Sequence, residues 1–481
     1  MILRPWEACC EFISVYLDKH GGRRDKGRQG WRLTGSLRTG FTPPGRAINA
    51  MKKQRSKPVS RSPRKPRPRP RPKPKPRPAP KPRPGPGPQP GPAPGRFPAG
   101  AIKRVVILIQ ENHTTDNYFP GLAPWGANVE TNLPTCQNPP PSPPFSAVYP
   151  PHHRRAYFDF LTQGTAEKSQ FDTARDIPFY LYMAITGAFL ENHCAGFGTN
   201  STPNHLLLVG GQSPTLGNPP RRSQPVWDLP SVPGLADDNG LGWRCYVPTG
   251  HYPMVFYQQV QNSPNLVDVT SFIADAKAGA LPALVYVWHA SPIDEHPPSD
   301  ITSGMNQIWQ SVDAVVQGGG WEETVFLLTW DDWGGFYDHV PTPAVEYTAD
   351  NVQLAYGPRV PLLMFGGAVK PGIDSRWCSH VSVPKTAIQL LGLPKLGVPR
   401  VDNDPGLADL VDPKMKPNAP PPAYGTKITI PNPPQPAPAP RPVPPRPAGR
   451  PVPTPKVFLR GGKTMPPPND APLPQQPKPP A

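Results

Sequence analysis

The sequence predicts an α/β fold: a mainly parallel central sheet flanked by helices, framed by disordered Pro-rich N- and C-terminal tails. Three observations lead there. Between residues 101 and 412, apolar runs of strand length alternate with longer amphipathic stretches, as in parallel strands joined by crossover helices. The clearest of those runs pass directly into acids, amides and histidines, as at the ligand-binding edge of an open α/β sheet. The 81 prolines of the 481 residues crowd the two ends, where a packed core has no material.

Residues 1–50 form an N-terminal segment whose order the sequence leaves open. Its start, MILRPWEACCEFISVYLDKH, is broken by Glu7, Glu11 and Asp18 and makes a poor secretory signal. Met51, followed by Lys52 and Lys53, is an alternative start. No apolar run is long enough to span a bilayer, so neither export nor location is indicated. Residues 51–100 carry 16 Lys/Arg and no acid, with proline at every second position from Pro66 to Pro94. Alternating proline removes backbone donors and fixes φ, so an extended polyproline stretch is expected, stiffened by like charge. Its basic part, residues 52–83, reads either as contact with an anionic surface or as a solvated spacer. The first hundred residues hold a surplus of 21 positive charges within a net charge of +17, leaving −4 for the rest. A basic nucleic-acid-binding fold is therefore not indicated. Residues 413–481 form a second Pro-rich tail, expected to be disordered.

Within the expected catalytic domain, 101–412, strands are predicted at 105–109, 283–287 and 325–329. A fourth is predicted at 360–365, its proline near one end. Helices are predicted at 177–191, 203–209 and 384–391. Cys136, Cys194, Cys245 and Cys378 are dispersed, without a C-x-x-C pair that would hold structural zinc. They are free buried thiols or two disulfides.

The chemistry lies at the strand ends. The first strand runs into Glu111-Asn112-His113, the second reaches Asp294-Glu295-His296, and the third passes Trp330 into Asp331-Asp332 and Gly334-Gly335. A carboxylate after a strand is usually a cap or a solvated loop. Three such clusters delivered to one sheet edge make a site. Carboxylates at this density repel unless protonated or bound to a cation, and oxygen ligands suit a divalent metal ion. A nucleophile is supplied at a helix start, where Ser201 or Thr202 precedes Pro203. Free N–H groups there favour an alkoxide and a phosphate.

At this point seven ordered segments resemble one family. IKRVVILIQENHTTDNYFPG is similar to the opening motif of bacterial phosphoesterases of the phospholipase C and acid phosphatase type. Ser201-Thr202-Pro203-Asn204-His205 resembles their T/S-x-P-N-R element, and Gly250-His251-Tyr252-Pro253-Met254 their K-H-N-P-F. Asp294 to Pro298 matches D-E-H-P-P. Residues 330–340 resemble Y-D-E-x-G-G-F-Y-D-H-V. Arg359-Val360-Pro361 and His380-Val381-Ser382 match the last two elements. The resemblance covers the central domain and neither tail. It implies an alkaline phosphatase-like fold and a metal-dependent hydrolase of phosphate esters, phospholipids or monoesters, working through a phosphoserine. It places the nucleophile at Ser201. Glu111, Asp331, Asp332 and Ser201 would hold a divalent metal ion, Asn112 would donate to a phosphate oxygen, and His251 and His296 would bind phosphate or protonate the leaving group. Asp294 and Glu295 would support His296, Asp116 would orient the first loop, and His380 would be a core histidine. Three departures stand out. Arginines of the motifs are replaced by His113 and His205, and a glutamate by Asp332. The rival readings are a catalytically idle anion-binding protein working through its basic arm, a surface-attachment protein defined by its tails, and a sulfate esterase. The last lacks its Cys-x-Pro-x-Arg segment.

Overall fold

A computed structural model of the chain describes residues 102–138, 149–220, 225–342, 344–348, 353–435, 438–439 and 450–452. The expected N-terminal segment, the basic arm with its surface-contact reading, and the far C-terminal tail lie outside these residues.

Eight strands form the central sheet: β1 (Arg104–Gln110), β2 (Ala188–Leu190), β3 (Trp243–Val247), β4 (Leu266–Asp268), β5 (Leu284–Trp288), β6 (Thr324–Trp330), β7 (Leu362–Phe365) and β8 (Gly372–Asp374). Their spatial order is β8-β2-β7-β6-β1-β5-β3-β4. β7 runs antiparallel to both neighbours, and every other pairing is parallel. The mainly parallel sheet is as predicted. β5 and β6 are buried throughout and β1 after its first residue. Covered on both faces, they read as unbroken apolar runs rather than as alternation.

Five helices matter for the site: α1 (Arg154–Gln163), α2 (Pro178–Thr186), α3 (Ser201–Gly210), α4 (Ile301–Gln317) and α5 (Ser382–Leu390). Successive β1 residues serve opposite faces. Val105, Ile107 and Ile109 join a core with Leu206 to Val209 of α3 and Val383, Ala387 and Ile388 of α5. Val106 and Leu108 join the other, with Phe179 to Leu181 of α2 and Ile308 and Val312 of α4. These helices therefore sandwich the strands whose ends carry the chemistry.

Two expectations need correction. The helix predicted over 177–191 stops at Thr186, and Ala188–Leu190 is β2 instead. The break is at Gly187, where an added Cβ would lie 2.6 Å from the carbonyl oxygen of Met364 in β7. An apolar run with helical spacing thus yields to strand pairing at a contact only glycine permits. The boundary expected at 412 is also too early. Asn418 and Pro422 accept the indole N–H groups of Trp321 and Trp309, both at 2.8 Å, and Ile428 and Ile430 pack on the second core. Proline here removes regular structure without removing packing.

Candidate active site

Strand register assembles the centre. Gln110 pairs with Trp330 and Ile109 with Trp288, so Glu111, His289 and Asp331 leave the same edge at nearly one level. Backbone bonds tie the three ends together: Asp331 N–H donates to Gln110 O at 3.0 Å, and Glu111 N–H to Asp294 O at 2.8 Å. Asn112 takes a left-handed conformation, φ 67°, which asparagine tolerates better than most residues. Its N–H donates to Asp331 Oδ1 at 3.0 Å. Gly334, at φ 60°, donates to Asp332 Oδ1 at 2.7 Å, and a Cβ there would stand 2.1 Å from the Asn112 carbonyl oxygen. The backbones of Gly334 and Asn112 therefore pass in close contact.

Ser201 is the first helical residue of α3, after Asn200 at the cap. Asn204 pins the preceding turn by accepting from Phe197 N at 2.9 Å and donating to the carbonyls of Phe197 and Thr199. The Ser201 hydroxyl faces the carboxylates, 3.3 Å from Asp332 Oδ2 and 3.5 Å from Glu111 Oε2. Thr202 turns elsewhere, its hydroxyl 2.9 Å from that of Tyr252. Of the two candidate hydroxyls, only Ser201 looks into the centre.

The centre is acidic and largely buried. Among the described residues no lysine or arginine pairs with Glu111, Asp331 or Asp332. Burial pushes the Glu111 carboxyl up to about 7. Burial and then repulsion from Glu111 raise Asp331 well above the usual carboxylate range, and Asp332 is raised mainly by its own burial. Converging oxygen donors that resist ionisation without a counter-charge fit a bound divalent cation.

Histidines close the site. His296 donates from Nδ1 to Pro297 O at 2.9 Å and stacks on Tyr149. The Asn112 amide, with its nitrogen turned toward Asp331 and Asp332, sets its oxygen 3.0 Å from His296 Nε2. Burial drives the His296 imidazole down to about 4. Behind it, Asp294 Oδ1 accepts from His296 N at 3.0 Å. The buried Glu295 carboxylate accepts from Gln110, Tyr118, Tyr180 and Trp330.

His152 escapes sequence reasoning. It sits in coil between Pro151 and α1, after no strand and in no motif. Yet it is buried, its Nδ1 donates to Pro150 O at 3.1 Å, and its Nε2 lies 3.9 Å from Asp332 Oδ2. The Trp333 indole, in the loop after β6, holds it by donating to His152 O at 3.0 Å. A buried-looking Pro-Pro-His-His after a Pro-rich stretch was the only signal. His251, by contrast, has no side-chain hydrogen bond to the centre among the described residues. Its neighbour Tyr252 reaches in instead, with ring centroids 5.2 Å from His205.

A second polar layer braces the loops. Fully buried Arg359 pairs with Asp116 at 3.0 Å and Asp338 at 2.8 Å, and Asp116 also accepts from His339 N at 2.6 Å. Asp116 thus ties the loop after β1 to the loop after β6, an orienting place rather than one on the carboxylate centre. His380 accepts from Gly196 N and bonds Trp330 O, so it lies in the core. Cys136, Cys194, Cys245 and Cys378 are free thiols.

Acids, a serine at a helix start and imidazoles thus converge at one sheet edge. The phosphoesterase family model matches residues 159–394, just under half of the chain, which is similar to that family there. The matched range includes Ser201, His251, His296, Asp331 and Asp332, while Glu111 and Asn112 precede it. Non-specific phospholipase C3 of Arabidopsis thaliana is 22% identical over 376 residues, 62% of this chain and 71% of that protein. Non-specific phospholipase C4 of the same plant is 39% identical over 181 residues, 35% of this chain and 33% of its own length. Non-hemolytic phospholipase C of Pseudomonas aeruginosa is 23% identical over 376 residues, covering 61% of this chain and 54% of that one. The match thus spans about half or less of the last two relatives. A solved protein of the alkaline phosphatase superfamily from Vibrio parahaemolyticus gives a looser likeness, with TM-score 0.36 and 14% identity over 64% of this chain and 70% of that one.

Proposed function

We propose that this chain is a metal-dependent hydrolase of phosphate esters, phospholipase C-like or acid phosphatase-like, with Ser201 as the nucleophile. The observation that carries the reading is the Ser201 hydroxyl, set at the start of α3 and facing Asp332 and Glu111 at 3.3 and 3.5 Å. Glu111, Asp331 and Asp332 would hold a divalent cation, with Ser201 beside them. When bound, that cation supplies positive charge that favours the serine alkoxide and the oxygens of the phosphorus under attack.

The chain's own groups do the rest. Ser201 Oγ forms a bond to phosphorus as the bond to the leaving alcohol breaks, and its proton passes to a carboxylate it faces. The N–H groups at the start of α3 meet the phosphate. The Asn112 amide, between the aspartates and His296, donates to a non-bridging oxygen. His296 and His152, each anchored by Nδ1 on a backbone carbonyl, present Nε2 to the centre. Burial keeps both imidazoles neutral at rest, so one takes up a proton at Nε2 only once the anionic substrate has arrived and gives that proton to the leaving oxygen; water then bonds to phosphorus as the bond to Ser201 Oγ breaks. From the loop that carries His251, Tyr252 sets its ring against His205.

Turnover of p-nitrophenyl phosphate or p-nitrophenylphosphorylcholine that chelation abolishes and a divalent cation restores supports this reading. Comparing the two substrates separates monoester from diester preference. Failure to turn over any phosphate ester with cation present favours the idle anion-binding alternative.

A further inference from the structure

We propose that His205 is a donor-only clamp on the carboxylates, so that the cation is held by oxygen atoms alone and is a hard divalent ion such as Mg2+, Mn2+ or Ca2+. The inference rests on the reading above and adds to it which atoms ligate. Glu111, His205 and Asp331 have the look of a mixed imidazole–carboxylate metal site, one ligand atom from each lying within 4.8 Å of the others.

The Trp288 indole decides otherwise. Its Nε1 lies 3.2 Å from His205 Nδ1, and an indole N–H can only donate. Nδ1 therefore carries the lone pair, and the ring proton sits on Nε2. That nitrogen is 3.1 Å from Glu111 Oε1 and 3.4 Å from Asp331 Oδ2, one N–H shared between two carboxylates. A nitrogen bearing its proton has no lone pair for a metal ion. Moving the proton to Nδ1 would set two N–H groups against each other around a fully buried ring. Tyr252 and Trp288 pack against that ring edge-on, leaving it no space to turn.

His152 is arranged in the opposite sense. Its Nδ1 donates to the Pro150 carbonyl and leaves Nε2 with the lone pair. The partners of His205 and His152 thus sort these two imidazoles into one donor and one acceptor. The arginine that the similar motifs carry at position 205 is also a pure donor, so the histidine keeps that capacity in a shorter side chain. With His205 spent on positioning, Glu111, Asp331, Asp332 and Ser201 offer only oxygen, the donor set of hard cations.

The test is 15N NMR of the histidine-labelled full chain, His205 being assigned by loss of its signals in His205→Gln. The expected result is an unprotonated Nδ1 and a protonated Nε2, unchanged by saturating Mg2+ or Ca2+. Calorimetric titration with Mn2+ accompanies it: His205→Ala weakens binding about 10–100-fold, as loss of a ligand-orienting neighbour does, and His205→Arg recovers most of it. A protonated Nδ1, an Nε2 signal that loses its proton on metal loading, or an arginine variant as weak as the alanine one overturns the clamp. None of these readings requires turnover. An inactive protein with the expected tautomer defeats the hydrolase reading alone, and an active one with the reversed tautomer defeats the clamp alone.

Discussion

The Ser201 hydroxyl oxygen lies 3.3 Å from Asp332 Oδ2, joining the start of a helix to the end of a strand 131 residues later. Neither residue marks itself out alone, since serine is common at helix starts and aspartate after strands. Brought together beside Glu111, they make a hydroxyl that faces carboxylates where a phosphate would sit. Ser201→Ala is expected to lower kcat for an aryl phosphate at least about 10^3-fold with the melting temperature nearly unchanged, because removal of a nucleophile leaves only binding and electrostatics. Steady-state kinetics and thermal unfolding of the same sample check both halves.

His152→Asn is expected to lower kcat about 10^2-fold or more, the usual size of a general-acid or general-base contribution. The imidazole is held 3.9 Å from Asp332 by a backbone carbonyl and the Trp333 indole. His251→Asn is expected to change kcat far less, with the two variants assayed side by side. Equal losses would return His251 to the chemistry.

Glu295 gives a pH prediction. Burial raises its carboxyl to about 7 in the folded chain from an ordinary 4.5, against the lowering effect of its four donors. A carboxyl with a raised folded pKa stabilises the fold fully below the unfolded value and loses that contribution as pH rises through the folded value. The wild-type unfolding free energy therefore loses a part of order 1–3 kcal/mol between about pH 4.5 and 7. Glu295→Gln lacks that part. Denaturant unfolding of both proteins at pH 5 and pH 8 reads it, and identical pH slopes would refute it.

Arg359→Ala is expected to cost about 3–5 kcal/mol, because it strands the buried Asp116 and Asp338 carboxylates without a counter-charge. Urea unfolding measures this. Activity should fall only as far as the loops after β1 and β6 lose their mutual alignment.

Much of this was legible in the sequence because buried parallel strands are chemically conspicuous. β1, β5 and β6 declare themselves as apolar runs, and their register alone brings Glu111 next to Asp331. Local rules misjudge what depends on distant partners. The run through Gly187 has helical character, but β7 approaches too closely for the helix to continue. His152 stands in a coil that acquires meaning only when Trp333 grips it. The loop twists at His251, φ 58°, which no pattern of residue types encodes.

The most direct test of the central proposal is mass spectrometry of protein quenched in acid during turnover of p-nitrophenyl phosphate with a divalent cation present. The account predicts a phosphoryl group mapped to Ser201, and none on the Ser201→Ala variant. Wild-type turnover in Ser201→Ala, or a phosphoryl group mapped to another residue, would contradict it.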